Sequence, residues 1–304
     1  MKRPRLTIAL PTYGREAILV ETLRQVLSLR QPDDEVLVVD QTLRHDPATR
    51  EHLERWHAAG EIRWVPQQPP SLTGARNRAL VEARGDVVLF LDDDVVLPST
   101  LFAEHIRLYT DSSVAAVTGQ VWNCLDAARP PPLDHPESGT RPHSSETRLC
   151  DARNISGGNH SVRRGAALGV GGYDPAFIGS ALGEDLDFSQ RLLLAGHRIV
   201  YNPDAWIIHL GVRSGGCAVG RGSPWPEWHY SSGLLLQAFR HGGRQGNFMM
   251  VFWMALRNGP LRREVAMNPL RWPVAWSGFV RGMFHAARHR RFQRPASLNL
   301  RTGD

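Results

Sequence analysis

Three consecutive aspartates directly follow an apolar segment in the stretch VVLFLDDDVVL, residues 87–97. Adjacent carboxylates repel each other, and such a cluster beside a cleft is stabilised by a bound cation. Asp92 and Asp94 lie two residues apart, so in an extended backbone their side chains point to the same side. Hard oxygen ligands suit Mg²⁺ or Mn²⁺. The triplet therefore predicts either a metal site or residues that cap the next helix or lie in a solvated loop.

A second group of acids occurs in the stretch GSALGEDLDFSQRLLLAG, residues 179–196. Glu184, Asp185 and Asp187 precede an apolar helical pattern there. A carboxylate within hydrogen-bond reach of a hydroxyl can act as a general base. Acids in the first turn of a helix also cap its free N–H groups and offset its dipole. From the residues alone, both interpretations of this group remain open.

The overall composition limits the chemistry that the chain can perform. Lys2 is the only lysine among 304 residues, which excludes a P-loop lysine and a Schiff-base lysine. The net charge is +6, but twelve arginines against two acids lie from Arg240 to the C-terminus, so the rest of the chain is mildly acidic. We therefore expect an anionic partner at the C-terminal region.

Cysteine spacing and hydropathy predict the compartment. The three cysteines are widely spaced and form no CxxC pair, which argues against a zinc ribbon or a disulfide framework and is typical of a reducing cytoplasm. The apolar run at the N-terminus is too short for a signal peptide. The run FMMVFWMAL, residues 248–256, falls short of the roughly 20 residues that span a bilayer. We expect a cytoplasmic protein that does not cross the membrane.

Apolar segments alternate with amphipathic ones, which predicts a mostly parallel sheet with helices on both faces. The predicted strands are 6–10, 35–39, 62–65, 87–91 and 114–119, with further apolar segments at 199–201 and 206–210. The predicted helices are 15–30, one containing Leu53 and Trp56, 75–84 and 99–109. Ligands bind such sheets beyond the carboxyl ends of the strands. Pro11, Asp40 and the aspartate triplet lie at such ends, so we expect them to converge on one crevice.

Two further segments complete the predicted organisation. Residues 125–148 are rich in Pro, Asp, His and Ser without periodicity and are expected to form a long loop over the crevice. Residues 1–224 are expected to form an α/β domain. Residues 225–304 are expected to form a helical region that is rich in arginine and aromatic residues.

The order of several motifs resembles that of the family 2 glycosyltransferases with the GT-A fold. These motifs are TIALPTYGRE, VLVVDQ, GARNRAL, FLDDDVVLP, ISGGNHSVRR and GEDLDFSQRLLLAGHRIVYNPDAWIIHL, and they cover roughly residues 5–210. The resemblance implies a Rossmann-like GT-A fold and an inverting transfer of a sugar, UDP-linked in most cases, with Mn²⁺ or Mg²⁺ as cofactor. The Gln-x-x-Arg-Trp motif of processive members is missing, so the transfer of one sugar per encounter is expected.

The resemblance also implies roles for individual residues. Asp94, Asp92 and His209 would hold the metal, and Asp185 would be the catalytic base, with Glu184 orienting hydroxyls. Gly157, Gly158 and Asn159 would line the donor sugar. The nucleotide-binding residues would be Pro11, Thr12, Tyr13, Glu16, Asp40, Arg76, Asp92 and Asp93. Among these, Asp40 would accept from the base and Arg76 would reach the base or a phosphate. Asp93 is expected to point away from the metal.

The implied partners are a nucleotide-sugar donor and a glycan or lipid-linked acceptor of the cell envelope. The C-terminal region is interpreted either as a surface that lies on an anionic membrane or as a helical subdomain with a solvated basic face. No base-reading module is visible, so no nucleic acid partner is expected. Two other functions stay open. A sugar nucleotidyltransferase would need a Gly-rich first turn and a lysine that are lacking here. An inactive scaffold would not need the intact acidic motifs.

Overall fold

The computed structural model describes residues 4–212, 214–216, 227–242 and 248–298. Its strands are β1 (Leu6–Thr12), β2 (Glu35–Asp40), β3 (Arg63–Pro66), β4 (Val87–Leu91), β5 (Val95–Val96), β6 (Val114–Cys124), β7 (Thr140–Pro142), β8 (Cys150–Asp151), β9 (Asn159–Arg163) and β10 (Arg198–His209). Its helices are α1 (Ala17–Leu29), α2 (Pro47–Ala58), α3 (Leu72–Glu82), α4 (Leu101–Ile106), α5 (Arg164–Gly169), α6 (Glu184–Leu194), α7 (Glu227–Gln237), α8 (Phe248–Asn258), α9 (Arg263–Ala266) and α10 (Trp272–Arg288).

The strands form one mixed sheet in the order β3-β2-β1-β4-β9-β6-β10-β5, with β7 on β6 and β8 on β10. β1, β2, β3 and β4 are mutually parallel where they pair, and β6 is parallel to β10. β9 runs antiparallel between β4 and β6. The predicted α/β sheet is confirmed, with this antiparallel strand at its centre.

Helices cover both faces of the sheet because alternate residues of the central strands point to opposite sides. On one face, Ile8 and Leu89 lie in a core with Leu19 and Leu23 of α1. On the other face, Val88 and Phe90 lie in a second core with Ala75 and Ala79 of α3. Strand β4 is buried along its whole length, which explains its uninterrupted apolar sequence.

Several element boundaries differ from the predicted ones for local reasons. Helix α3 begins at Leu72, before the predicted residue 75, because Ser71 Oγ accepts a hydrogen bond from Gly74 N at 3.1 Å and caps it. Helix α4 ends at Ile106 and continues as a 3₁₀ turn over Arg107–Thr110. The two apolar segments near residue 200 are one strand, β10, with irregular pairing between Asn202 and Ile207. Within residues 125–148, the structure contains only the short strand β7.

The elements described after residue 226 are all helical. Leu235 and Leu236 of α7 share a third core with Ala255 of α8 and Phe279 of α10. The predicted domain boundary at residue 224 lies outside the described residues and stays a prediction. Within the part of the chain that the structure describes, no helix is both long enough and apolar enough to cross a membrane.

Candidate active site

The carboxyl ends of several strands bring the predicted site residues to one edge of the sheet. Thr12 ends β1 and pairs in register with Asp40 at the end of β2. The aspartate triplet follows the end of β4, and His209 ends β10. Because β9 is antiparallel to β4, its first residue Asn159 lies opposite Leu91 at this same edge.

Two carboxylates and one imidazole form a group with the geometry of a metal site. His209 Nε2 lies 3.3 Å from Asp94 Oδ1 and 3.8 Å from Asp92 Oδ2. One ligand atom from each of these residues lies within 4.8 Å of the other two. The Asp94 side chain is 2% exposed, whereas that of Asp92 is 42% exposed. The structure thus brings together the three residues that the sequence suggested as metal ligands.

Asn123, which the sequence analysis did not assign, fixes the orientation of His209. The two residues lie opposite each other on the parallel strands β6 and β10. His209 Nδ1 lies 3.1 Å from Asn123 Oδ1, an acceptor, so Nδ1 carries the proton and Nε2 faces the carboxylates. Burial lowers the pKa of His209, but Asp94 and Asp92 outweigh this effect, and the net pKa is raised.

The Asp93 carboxylate lies outside the group formed by Asp92, Asp94 and His209. Its Oδ2 accepts a hydrogen bond from Thr12 Oγ1 at 2.7 Å, and its Oδ1 lies 3.0 Å from Arg15 Nε. Burial raises the pKa of Asp93 because Arg15 and Thr12 only partly offset the loss of water. In this structure Asp93 anchors the turn between β1 and α1.

Arg15 is a central residue of the site that the sequence analysis missed. Besides Asp93, its guanidinium contacts Asp94 Oδ2 at 3.1 Å through Nη2. Its Nη1 donates to the carbonyl oxygens of Val212, at 2.9 Å, and Ser214. The side chain is 6% exposed. Arg15 therefore ties the first turn, the acidic triplet and the segment after β10 to one another.

The segment after β10 also contacts the first turn through its backbone. Gly216 N donates to Tyr13 O at 2.6 Å, and Val212 N donates to Asp94 Oδ2 at 2.8 Å. Gly14, which follows Tyr13, adopts a φ of 62° and donates from its N–H to Thr42 Oγ1 at 2.8 Å. The positive φ explains the glycine at this turn. Pro11 and Thr12 are held in β1 by pairing with β2.

Asp40 belongs to a buried hydrogen-bond network that includes His45. Its carboxylate accepts from His45 Nε2 at 2.7 Å, Trp64 Nε1 at 2.8 Å and Thr42 N at 2.8 Å. His45 Nδ1 lies 3.1 Å from Glu16 Oε2, so the imidazole bridges two predicted nucleotide-binding acids. Burial opposes ionisation of both partners, but their hydrogen bonds outweigh it. The pKa of Asp40 is therefore lowered and that of His45 is raised.

The loop before β9 connects the acidic triplet with Arg76. Gly158 O accepts from Asp92 N at 3.2 Å, and Gly157 O accepts from Arg76 Nη2 at 2.8 Å. A Cβ atom on Gly158 would lie 2.2 Å from Asp92 Oδ2. Only glycine therefore leaves room for the Asp92 carboxylate as it stands.

Asn159 has a role that the sequence did not indicate. Its side chain is fully buried. Its Nδ2 donates to Gln120 O and Ala205 O, and its Oδ1 lies 3.0 Å from His105 Nε2. The structure thus places the Asn159 side chain among the sheet strands and α4, and not in the crevice where it was expected to line the donor sugar.

Glu184 and Asp185 begin helix α6, directly after Gly183, which has a φ of 90°. Glu184 is 4% exposed and forms an ion pair with Arg76 Nη1, so in this structure Arg76 is engaged by Glu184 and Gly157 O. Burial raises the pKa of Glu184, and Arg76 opposes the increase. Oε2 of Glu184 is buried and accepts no hydrogen bond from the described residues. Asp185 is half-buried, and its Oδ1 accepts from Leu186 N at 2.8 Å.

Asp187 attaches the C-terminal helices to α6. Its carboxylate lies 2.9 Å from Arg191 Nε, 3.1 Å from Arg240 Nη1 and 2.9 Å from His241 Nε2. Burial raises the pKa of Asp187, but His241 and the two arginines lower it more strongly, to about 2. Asp187 therefore does more than offset the helix dipole, because it pairs with residues that follow α7.

Comparison with known proteins shows the family. Residues 7–168 match the profile of the family described as glycosyl transferase family 2, which covers more than half of the chain. The chain belongs to glycosyl transferase family 2. This assignment confirms the predicted family and the predicted enzyme class, a glycosyltransferase.

The chain is also similar to the succinoglycan biosynthesis protein ExoM of Rhizobium meliloti (strain 1021), with 27% identity over 208 residues. This match covers 66% of the chain and 65% of that protein. The matches to curated relatives span 29% to 65% of the lengths of those relatives.

Two solved structures show the fold. One is the mannosyltransferase PcManGT from Pyrobaculum calidifontis in complex with GDP-Man and Mn²⁺, with a TM-score of 0.55 and 19% identity, covering 95% of this chain and 88% of that one. The other is residues 1–349 of TarS from S. aureus in complex with UDP-GlcNAc, with a TM-score of 0.61 and 16% identity, covering 92% and 81%. At these identities the likeness concerns the fold alone, which is the predicted GT-A arrangement.

Proposed function

We propose that the protein transfers one sugar from a nucleotide-diphosphate sugar to a hydroxyl of a glycan or lipid-linked acceptor, with inversion at the anomeric carbon. The main support for this proposal is that the loop before β9 links two acidic groups, Asp92 with Asp94 and Glu184 with Asp185. Asp92 contacts the backbone of Gly158, and Glu184 contacts Gly157 O through Arg76. A donor sugar between the two groups would have a metal site at one end and a base at the other.

The first acidic group fits a divalent cation. The donor set of Asp92, Asp94 and His209 combines carboxylate oxygens with one imidazole, which suits Mn²⁺ and is also compatible with Mg²⁺. When bound there, the ion supplies positive charge that stabilises the departing diphosphate. Asn123 keeps His209 Nε2 directed toward the carboxylates, and Arg15 holds Asp94 Oδ2 in place.

The second acidic group supplies the base. Asp185 accepts the proton of the acceptor hydroxyl while the hydroxyl oxygen forms a bond to the anomeric carbon. The bond from that carbon to the diphosphate breaks, and its electron pair leaves with the phosphate oxygen. Direct displacement of this kind inverts the anomeric configuration, and no covalent nucleophile of the protein is needed. Glu184 orients sugar hydroxyls, which its buried oxygen without a hydrogen bond from the described residues supports.

The turn between β1 and α1 and the end of β2 bind the nucleotide. Pro11 and Thr12 end β1, and Tyr13 and Glu16 lie on the turn after it. His45 bridges Asp40 and Glu16, so these two proposed nucleotide-binding acids lie close together. UDP is the expected nucleotide, and the UDP-GlcNAc complex of TarS supports it. GDP is the second candidate because PcManGT was solved with GDP-Man.

The acceptor is proposed from the relatives and the location from the cysteines. ExoM is named for succinoglycan biosynthesis, which supports a polysaccharide of the cell envelope as the acceptor class. Cys124 and Cys150 are free thiols, which supports a reducing cytoplasm.

The function is tested in two stages. Thermal shifts with UDP- and GDP-linked sugars, with and without Mn²⁺, should identify the donor, because a ligand of the folded form raises the melting temperature. Nucleotide release from that donor should then be slow alone and faster with an envelope glycan. Pyrophosphate release from a nucleoside triphosphate would indicate a nucleotidyltransferase instead. Donor binding without any nucleotide release, across a panel of acceptors, would favour the scaffold function.

A further inference from the structure

Two C-terminal helices expose apolar side chains on the side that faces away from the core. We define the outer face as Met249, Met250 and Trp253 of α8 with Trp272, Trp276, Val280 and Phe284 of α10. Trp253 is 55% exposed and Phe284 is 73% exposed. Between residues 4 and 212 the large apolar side chains that are exposed are five leucines, and none is aromatic. Exposed aromatic rings are thus concentrated in the C-terminal region of the described chain.

The outer face is additional to the packed face of each helix. On α8, Phe252, Ala255 and Leu256 turn toward the third core. On α10, Gly278, Phe279 and Gly282 are buried, and Gly282 lies close to the backbone of Ser232 in α7. Both helices have therefore already buried one side against α7. A helix that is apolar on both sides still exposes one apolar side to water, and such a side favours contact with another molecule or a membrane.

The charge around the outer face is strongly positive. Residues 248–298 contain nine arginines and only one acid, Glu264. Arg257 of α8 and Arg271 and Arg288 at the ends of α10 are all exposed. Tryptophan and phenylalanine favour the boundary between lipid headgroups and acyl chains, and guanidinium groups bind lipid phosphates. A second copy of the chain would bring the same positive charge to the contact, which disfavours self-association through this face.

We propose that the outer face docks on a bilayer that contains anionic lipids. The helices lie on the surface, with the aromatic rings in the interfacial region and the arginines at the phosphate groups. The benefit of docking rests on the proposed function, because an enzyme at the lipid surface can meet a lipid-linked acceptor there. The binding of lipid itself does not depend on catalysis.

Helix α7 connects the outer face with the proposed catalytic acids. Gln237 Nε2 of α7 donates to Gly183 O, directly before Glu184. Arg240, which follows α7, lies 3.1 Å from Asp187 in the first turn of α6. α8 and α10 pack on α7 through Leu235, Leu236 and Phe279. Docking of α8 and α10 would therefore fix the orientation of α6, and of Asp185 on it, relative to the lipid surface.

The test is cosedimentation of the full chain with vesicles of phosphatidylcholine alone or with phosphatidylglycerol added. We expect binding to the anionic vesicles, at least tenfold weaker binding to the neutral ones, and release by high salt. The variant W253S/F284S should lose about tenfold or more of the affinity for anionic vesicles. The matched control L125S/L194S, which changes two leucines that are each 60% exposed, should bind like the wild type. Circular dichroism and thermal melting should show that both variants fold.

Each alternative result overturns the proposal. Full recovery in the supernatant at low salt would exclude docking on lipid. Equal binding of W253S/F284S and the wild type would show that the outer face is not the contact. A dimer in light scattering that W253S/F284S makes monomeric would assign the face to self-association. Donor-induced thermal shifts, measured without vesicles, test the proposed function separately. A failure of lipid docking can therefore be distinguished from a failure of the proposed function.

Discussion

Oδ1 of Asn123 lies 3.1 Å from Nδ1 of His209, across the parallel pairing of β6 and β10. This contact keeps a proton on Nδ1, so Nε2 is the ring nitrogen that faces Asp92 and Asp94 and that would bind a metal ion. An acceptor for the N–H of the other ring nitrogen also makes the imidazole a stronger ligand. The affinity of the proposed metal site for its ion therefore depends on a residue that is not itself a ligand.

Replacing Asn123 should weaken the binding of Mn²⁺. We expect Asn123→Ala to lower the affinity for Mn²⁺ by about tenfold or more, because His209 loses the acceptor that orients it. Asn123→Asp keeps an acceptor at this place and should retain the affinity. Titration followed by the electron paramagnetic resonance of free Mn²⁺ measures both variants. Wild-type affinity in Asn123→Ala would remove this residue from the site.

Gly158→Ala should affect the metal site without unfolding the protein. The added Cβ would meet Asp92 Oδ2 at 2.2 Å. Asp92 is partly exposed and can turn away at little cost to stability, but its carboxylate then leaves the position beside His209. We expect a reduced affinity for Mn²⁺ at a nearly unchanged melting temperature.

The control for this variant is Gly165→Ala, because a Cβ on Gly165 meets no atom within 4 Å. It should leave the affinity for Mn²⁺ unchanged and should not lower the melting temperature, because alanine favours a helix more than glycine does. A Gly158→Ala protein with wild-type affinity for Mn²⁺ would show that Asp92 is not a ligand. Isothermal titration calorimetry and thermal melting give the two quantities.

The two acids at the start of α6 should respond differently to removal of their charge. Asp185→Asn should lower kcat by about 10²–10⁴-fold with little change in the donor-induced thermal shift, because only the base is lost. Glu184→Gln should lower the melting temperature as well, because the buried Arg76 then lacks its carboxylate partner. Nucleotide release and thermal melting separate these effects. Equal turnover in Asp185→Asn and the wild type would assign the base elsewhere.

Asp187 should make folding sensitive to acid. Its pKa is about 2 in the folded state against an ordinary 3.8, so its contribution is complete above about pH 4 and is lost as the pH falls toward 2. The difference corresponds to about 2 kcal/mol of unfolding free energy. Asp187→Asn should remove this contribution and flatten the curve of stability against pH in that window. Urea denaturation at several pH values measures the curve.

The control for the acid experiment is Asp204→Asn, since the Asp204 side chain is 73% exposed and its nearest cation, Arg107, is 3.8 Å away. This variant should keep the pH dependence of the wild type. The interpretation fails if Asp187→Asn and Asp204→Asn show the same curve.

His45 should have the opposite pH dependence. Asp40 and Glu16 raise its pKa above the ordinary 6.5, so protonated His45 contributes stability below pH 6.5. This contribution is lost as the pH rises through the folded pKa. In the wild type, the loss of this contribution lowers the unfolding free energy as the pH rises above 6.5. His45→Gln should remove this part of the decrease. Stability that is constant over this range in the wild type would contradict the protonated state of His45.

The sequence predicted the residues that lie at the ends of apolar strands. Asp92, Asp94 and His209 each follow or end such a strand, so the parallel arrangement alone brings them to one edge. Their position could be predicted because strand periodicity is a local property of the chain.

Other features depend on contacts between distant parts of the chain. Arg15 pairs with Asp93 and with the carbonyl oxygen of Val212, and neither partner is visible from the spacing around Arg15. Strand β9 lacked an apolar pattern because Asn159, His160 and Ser161 are buried polar residues whose hydrogen bonds are made in the interior. Burial of polar groups that satisfy one another leaves no hydrophobic signal in the sequence.

The reversed direction of β9 has a consequence for how this fold can diversify. β6 ends and β9 begins at the edge of the sheet that carries the acidic groups. Residues 125–158 connect these two strands and touch the sheet through two short strands, β7 on β6 and β8 on β10. Changes in the length or composition of this connecting segment can alter which substrates fit into the crevice, while the strand register stays fixed. Evolution can therefore retarget such an enzyme to new substrates without rebuilding the scaffold that holds its reactive groups.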